Sequence, residues 1–138
     1  MRPLELIELV VQFAVFVESR FKHELNCARP YEHSAQVQPM ITTPGHGTLP
    51  SGHATQSYAV AHVLARLLNV AAPGGMAEPR DVQLQRLAAR IATNRVVAGL
   101  HFPVDNLAGR LLGHTLGEYV MARLLGPGNN WQPRRFDG

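Results

Sequence analysis

The chain has 138 residues, 46% of them hydrophobic and 17% charged, which is the size and composition of one globular domain. Its formal net charge of +3 suits an anionic ligand but is too small to indicate a nucleic-acid-binding protein. The single cysteine excludes an intrachain disulfide, and no apolar run approaches the roughly 20 residues that a membrane-spanning helix needs. We therefore expect one soluble domain over residues 1–138, located in the cytoplasm, without a membrane span and without a nucleic-acid partner.

The hydrophobic pattern along the chain predicts helices and no strand. Apolar side chains recur at helical spacing in four separate stretches. Gly99 is expected to end the third helix and Pro103 to begin the fourth, because glycine favours helix C-termini and proline favours the first helical turn. The four predicted helices span residues 4–22, 51–69, 80–98 and 103–125. Together they predict an all-α helical bundle.

Three segments lie outside the predicted helices. The connection over residues 29–50 is long for a compact domain, and loops of that length are usually functional or disordered. The linker over residues 71–79 is rich in alanine, glycine and proline, which ends the second helix. The tail over residues 128–138 shows no helical pattern and is expected to be loose.

The first block of chemical interest reads KHELNCARP and ends at Pro30. Lys22 and Arg29 are seven residues apart, close to two helical turns, so both side chains are expected to project from one face. Pro30 favours an extended backbone at Arg29. Two cations on one face would suit an anionic ligand.

The second block, PSGH, ends at His53 and runs into the second predicted helix. Ser51 and Gly52 are small, and glycine lets the backbone approach a ligand closely. The unpaired N–H groups and the positive dipole end of a helix N-terminus favour an anion at this position. The block is therefore a candidate anion cradle.

The third block reads NRVVAGLHFPVD and joins the third predicted helix to the fourth. Arg95 lies near the end of one helix, His101 follows the break at Gly99, and Asp105 lies in the first turn of the next helix. The spacing from His101 to Asp105 allows the carboxylate to hold the imidazole.

In this order and with these spacings, the three blocks resemble the motifs of one superfamily. It unites type 2 phosphatidic acid phosphatases, bacterial non-specific acid phosphatases and vanadium haloperoxidases. Its pattern is Lys-x6-Arg-Pro, then Pro-Ser-Gly-His, then Ser-Arg-x5-His-x3-Asp, and Asn94 stands where the pattern has the second serine. The resemblance implies the helical bundle of that family, shortened at the N-terminus. The matching positions are Lys22, Arg29, Pro30, Pro50, Ser51, Gly52, His53, Arg95, His101 and Asp105.

The resemblance implies a metal-independent phosphohydrolase that needs no cofactor. His101 would be the nucleophile and form a phospho-histidine, and Asp105 would orient the ring and stabilise its charge. His53 would protonate the leaving oxygen and then activate water. The residues implied to bind the phosphate are Lys22, Arg29, Ser51, Gly52 and Arg95.

Two alternatives stay open. In the haloperoxidases the same cradle holds vanadate as cofactor, with the position of His101 as the vanadium ligand, so these residues do not separate the two activities. His46, seven residues before His53, is a candidate for the halide pocket or for a supporting contact and favours the haloperoxidase, whereas the short chain favours the phosphatase. The other alternative is a shortened member that binds oxyanions without turnover. All three predict a small phosphorylated or oxyanion ligand, and an uncovered apolar face predicts a homodimer.

Overall fold

The computed structural model describes residues 2–71 and 77–126, and within these ranges its regular elements are all helices. The all-α prediction is confirmed, and the four long helices lie within a few residues of the predicted stretches. A one-turn helix, α2, was not predicted. The helices are α1 (Pro3–Leu25), α2 (Pro30–His33), α3 (Gly52–Ala71), α4 (Ala77–Val97) and α5 (Pro103–Leu125).

The end of α1 differs from the prediction. Asn26 adopts a left-handed conformation with φ 41°, and its N–H donates to the carbonyl of Lys22 at 3.0 Å, which ends the helix. The helix ends between Lys22 and Arg29, so the expected shared face is wrong, whereas the extended backbone of Arg29 is as Pro30 predicted. Both side chains are nevertheless buried, and both donate to the carbonyl of Gly47.

The start of α4 is also earlier than predicted. The helix begins at Ala77, so Pro79 lies in its first turn rather than before it. A proline is tolerated there because its missing N–H would have no helical partner. The predicted loose tail over residues 128–138, and the central part of the predicted linker at 71–79, lie outside the described residues.

The core of the bundle is built around α3, which packs against α1, α4 and α5. Three glycines at four-residue spacing on α5 face α3, namely Gly109, Gly113 and Gly117. A Cβ at Gly109 would run into the Ser51 carbonyl and the Ala54 side chain, so only glycine allows the helices to approach this closely. The close approach places the start of α5 against the start of α3.

Two groups of buried apolar side chains hold this arrangement. One joins α1, α3 and α5, and the other joins α3 and α4. Burying each large aliphatic side chain contributes roughly 1.5–3 kcal/mol. The first group is Leu6, Val10, Ala14, Ala59, Val63, Leu116 and Met121, and the second is Ala54, Tyr58, Ala61, Ala88 and Ala92.

The connection between α2 and α3 crosses one end of the bundle and is fixed there by backbone hydrogen bonds. Met40 N–H donates to the carbonyl of Ala98 at 3.0 Å, and Thr48 N–H donates to that of Cys27 at 2.9 Å. The long loop is thus attached to the ends of both α1 and α4. Among the described helices, none combines the length and the apolar character needed to cross a bilayer.

Candidate active site

The three sequence blocks meet at the end of the bundle where α3 and α5 begin. Ser51 N–H donates to the carbonyl of Asp105 at 2.9 Å, which joins the second block to the third. Arg29 Nη1 donates to the carbonyl of Leu100 at 3.0 Å, which joins the first block to the third. Residues far apart in the chain therefore surround one space.

His101 is held in this space through one ring nitrogen. Its Nδ1 lies 3.0 Å from Thr48 Oγ1 and 3.3 Å from Asp105 Oδ2. The same carboxylate oxygen accepts a hydrogen bond from the Phe102 N–H at 2.8 Å. The side chains of His101, Thr48 and Asp105 are each more than nine-tenths buried. An N–H on Nδ1 has two acceptor oxygens beside it, so Nε2 is the nitrogen left with a free lone pair.

Thr48 is a site residue that the sequence analysis missed. Its hydroxyl donates to Asp105 Oδ2 at 2.6 Å and lies beside His101, and the side chain is only 2% exposed. Because one hydroxyl can donate once and still accept, Thr48 can receive the Nδ1 proton while it binds the carboxylate. The only sequence signal was its place in the long connection over residues 29–50.

The two cations of the first block are anchored through the loop before α3. Lys22 Nζ donates to the carbonyls of Gly47 and Thr48 at 3.3 and 3.4 Å. Arg29 Nε donates to the carbonyl of His46 at 3.0 Å, and the guanidinium is almost fully buried. The loop carbonyls thus fix both charges against the site rather than against solvent.

His46 lies at the rim of the site. Its ring is exposed, and Nδ1 lies 3.3 Å from Arg29 Nη2. The side chain therefore contacts the edge of the Arg29 guanidinium, where it can support that group or face an incoming solute. The structure places His46 beside the cradle, and its two candidate roles stay predictions.

Several buried polar atoms around this space have no hydrogen-bond partner among the described residues. They include Ser51 Oγ, Arg95 Nε and Glu18 Oε2. The first intrahelical bond of α3 runs from Thr55 N–H to Ser51, so the N–H groups of Gly52 and His53 have no partner within the helix. Unpaired buried polar groups are costly, and the donors among these, namely Ser51 Oγ, Arg95 Nε and the N–H groups at the start of α3, fit a tetrahedral oxyanion, phosphate or vanadate alike.

Burial and nearby charges shift the pKa values of the two histidines at the site. Partial burial lowers the pKa of His53, and the positive charges of Arg95, His101 and Lys22 lower it further. Burial also lowers the pKa of His101, although its hydrogen bond to Asp105 opposes the shift. Both imidazoles therefore favour the neutral form near pH 7 in the empty site, which keeps His101 Nε2 unprotonated.

The pKa of Asp105 shifts in the opposite sense from that of an ordinary buried carboxyl. Burial alone would raise it, but hydrogen bonds from His101, Thr48 and the Phe102 N–H together lower it. Asp105 is therefore ionised at neutral pH and can balance a positive charge on His101.

An apolar groove of about 340 Å³ opens next to His53, between α1, α3 and α4. His53 therefore stands between the cationic cradle on one side and a hydrophobic wall on the other. A ligand that places its charged group in the cradle can extend an apolar part into this groove. The apolar lining includes Ile7, Val11, Val60, Leu64, Leu84 and Leu87.

A family model described as the PAP2 superfamily matches residues 6–125, most of the chain and all three blocks. The chain belongs to the PAP2 superfamily. The resemblance inferred from the three motifs is thereby confirmed, and with it membership of a group that contains phosphatases and haloperoxidases.

Two relatives of this PAP2 chain are named for different activities, one as a bromoperoxidase and one as a phosphatase. It is 32% identical over 95 residues to the vanadium-dependent bromoperoxidase of Ascophyllum nodosum, in a match that covers 54% of this chain and 17% of that protein. The crystal structure of the first transmembrane PAP2 type phosphatidylglycerolphosphate phosphatase from Bacillus subtilis aligns with a TM-score of 0.74 and 22% identity. That alignment covers 92% of this chain and 61% of the other, so it shows a shared fold, and this chain spans less than two thirds of either relative.

Proposed function

We propose that this PAP2 domain is a metal-independent phosphohydrolase that cleaves phosphomonoesters through a phospho-histidine at His101. The observation that carries the proposal is the fixed ring of His101. Thr48 and Asp105 hold its Nδ1, and its Nε2 is left for a bond to phosphorus. A ring held in this way is oriented before the substrate arrives, which removes part of the entropic barrier to attack.

The cradle would bind the phosphoryl oxygens. Arg95 Nε and Ser51 Oγ are buried without partners in the part of the chain that the structure describes, and the α3 N-terminus presents further N–H groups. Each hydrogen bond to a charged group contributes roughly 1.5–3 kcal/mol, so several of them stabilise the negative charge of the transition state. Lys22 and Arg29 add positive charge without the need for a metal ion.

The proposed reaction has two displacements. His101 Nε2 attacks phosphorus, the bond to the leaving oxygen breaks, and His53 gives that oxygen a proton. A water molecule then attacks the phospho-histidine, the phosphorus–nitrogen bond breaks, and His53 takes the proton of the water. Asp105 stays ionised and balances the positive imidazole, while the Thr48 hydroxyl holds the carboxylate and the ring in position.

The apolar groove beside His53 favours a substrate with an apolar leaving group. Since His53 would protonate the leaving oxygen, the leaving group lies on its side, where the groove of about 340 Å³ is lined by aliphatic side chains. An aryl or alkyl group buried there gains roughly 25 cal/mol per Å² of apolar surface. Aryl phosphates are therefore suitable test substrates.

A second candidate function is a vanadate-dependent haloperoxidase. It is supported by the bromoperoxidase relative and by the position of His46 against Arg29. The residues that fit phosphate also fit vanadate, with His101 Nε2 as the nitrogen ligand. When bound there, vanadate would supply a Lewis-acidic centre that activates peroxide toward a halide. The remaining alternative is oxyanion binding without turnover.

One preparation assayed in two ways separates these functions. Hydrolysis of 1-naphthyl phosphate is expected without added metal, and vanadate is expected to inhibit it competitively, because both ligands occupy the same cradle. Bromide oxidation by peroxide is then measured after vanadate loading. Bromination without hydrolysis would contradict the phosphatase, and sulfate binding with neither activity would indicate the non-catalytic alternative.

The predictions about assembly and location are unchanged. Exposed apolar side chains on α1, such as Leu4 and Phe16, would be covered if two copies associated. The homodimer stays a prediction on this ground. The cytoplasmic location also stays a prediction.

A further inference from the structure

Glu18 is a buried carboxyl group beneath the cradle that none of the three motifs contains. It lies on α1 one turn before Lys22 and is only 5% exposed. Its Oε1 accepts a hydrogen bond from Gln56 Nε2 at 3.1 Å, whereas Oε2 has no partner among the described residues. The carboxyl group packs directly against Gly52, where an added Cβ would collide with it.

This position makes Glu18 a counter-charge to the empty cradle. An ionised carboxylate there lies close to Lys22 and to the N-terminus of α3, the same end of the helix that would hold an anion. Glu18 is thus a second buried acid at the site besides Asp105. Only the glycine at position 52 separates its oxygens from the cradle.

The neighbouring groups come from every element packed around the site. Burial raises the pKa of Glu18 to about 7, against the hydrogen bond from Gln56 and the charge of Lys22. Burial lowers the pKa of Lys22 to about 8, while Glu18 opposes that shift. The charged or titratable groups that face the site are Lys22 from α1, Arg29 and His46 from the loop, His53 from α3, Arg95 from α4, His101 before α5 and Asp105 from α5.

We propose that Glu18 takes up a proton when an oxyanion enters the cradle, so that anion binding weakens as the pH rises past neutrality. A bound dianion next to an ionised Glu18 would suffer like-charge repulsion across Gly52, and a proton on Oε2 removes it. The inference rests on the anion-binding part of the proposed function and does not require turnover by His101.

The direction of the pH dependence follows from the pKa of Glu18 in the empty site and in the anion-bound site. The bound anion raises the pKa of Glu18 above its value of about 7 in the empty site. Below that value the carboxyl is already neutral and affinity is full. Above it, each binding event takes up a proton, and affinity falls by up to about tenfold per pH unit until the higher, bound-state pKa is passed.

Sulfate is the probe, because it stays a dianion across this range, whereas phosphate itself titrates. Its binding is measured by calorimetry at about pH 6.5 and about pH 7.5, each in two buffers with different ionisation enthalpies. A bound anion also raises the pKa of Lys22 and His53, so the contribution of Glu18 is the part of the proton uptake that a Glu18 variant removes. Through Glu18, wild type is expected to take up a fraction of a proton that grows with pH, and to lose about threefold in affinity between the two pH values.

Glu18→Gln keeps the shape and the acceptor for Gln56 but cannot take up a proton. It is expected to take up fewer protons than wild type on binding sulfate, with a shallower pH dependence in this window and tighter binding at about pH 7.5. Glu8→Gln, on an exposed part of the same helix, is the matched control and should behave as wild type. A Glu18→Gln protein with the wild-type proton uptake and slope would overturn the inference.

A second measurement needs no variant. Infrared difference spectra of wild type at about pH 7.5 should show a new protonated carboxyl band on addition of sulfate. Sulfate bound without that band or without proton uptake would overturn the role of Glu18 and leave the phosphohydrolase proposal standing. A wild-type protein that binds no sulfate would overturn the cradle and this inference together.

Discussion

Replacing His101 with alanine is expected to lower hydrolysis of 1-naphthyl phosphate by at least about 10⁴-fold, because it removes the proposed nucleophile. Thr48 can still donate to Asp105, so the carboxylate keeps a partner and the fold should survive. The cations of the cradle are untouched, so sulfate should still bind. The loss should therefore appear in kcat rather than in anion affinity.

The intermediate gives this prediction a direct readout. Wild type mixed with a phosphorus-labelled substrate and quenched in alkali should carry label on protein, since a phosphoramidate survives alkali and not acid. His101→Ala should carry none. His23→Ala, an exposed histidine on α1, is the matched control and should retain both label and turnover. Labelled His101→Ala protein, or turnover within about tenfold of wild type, would contradict the nucleophile assignment.

Replacing His53 with alanine is expected to cost about 10²–10⁴-fold with alkyl phosphates and much less with nitrophenyl phosphate. An alkoxide leaves poorly without a proton, whereas a nitrophenolate needs little help. His53 must be protonated to act as an acid, and partial burial and three nearby cations lower its pKa in the empty site. The negative charge of a bound substrate would raise that pKa and restore the proton.

The measurement is a series of phosphate esters with leaving groups of increasing pKa. In His53→Ala the logarithm of kcat/KM should fall more steeply with leaving-group pKa than in wild type. His23→Ala serves again as the control and should keep the wild-type slope. Equal losses for every ester would show that His53 contributes to binding or structure and not to proton transfer.

Local signals were enough to predict most of the fold. Proline at position 103 predicted the start of α5 at the residue where it begins, and the helical period predicted the four long helices. The PSGH block predicted a helix start near Ser51, and α3 begins at the next residue, Gly52. Each of these helix positions depends on residues that are neighbours in the sequence, so it could be predicted from the sequence alone.

The parts that could not be predicted depend on contacts between distant residues. The helix α1 continues beyond its predicted end at residue 22 to Leu25, where the left-handed Asn26 ends it. Thr48 acts on His101, 53 positions away, and Glu18 pairs with Gln56, 38 positions away. Neither residue belongs to a motif, because its place at the site arises only when α1, α3 and α5 pack together.

The central claim is that Lys22, Arg29, Arg95 and His101 surround one oxyanion. A crystal structure of the protein with vanadate tests it most directly. Vanadium is expected to be bonded to His101 Nε2, with its oxygens accepting hydrogen bonds from Arg95 and from the N-terminus of α3. Vanadate bound elsewhere, or bound here with Arg95 and Lys22 turned away from it, would show that these residues do not form one oxyanion site.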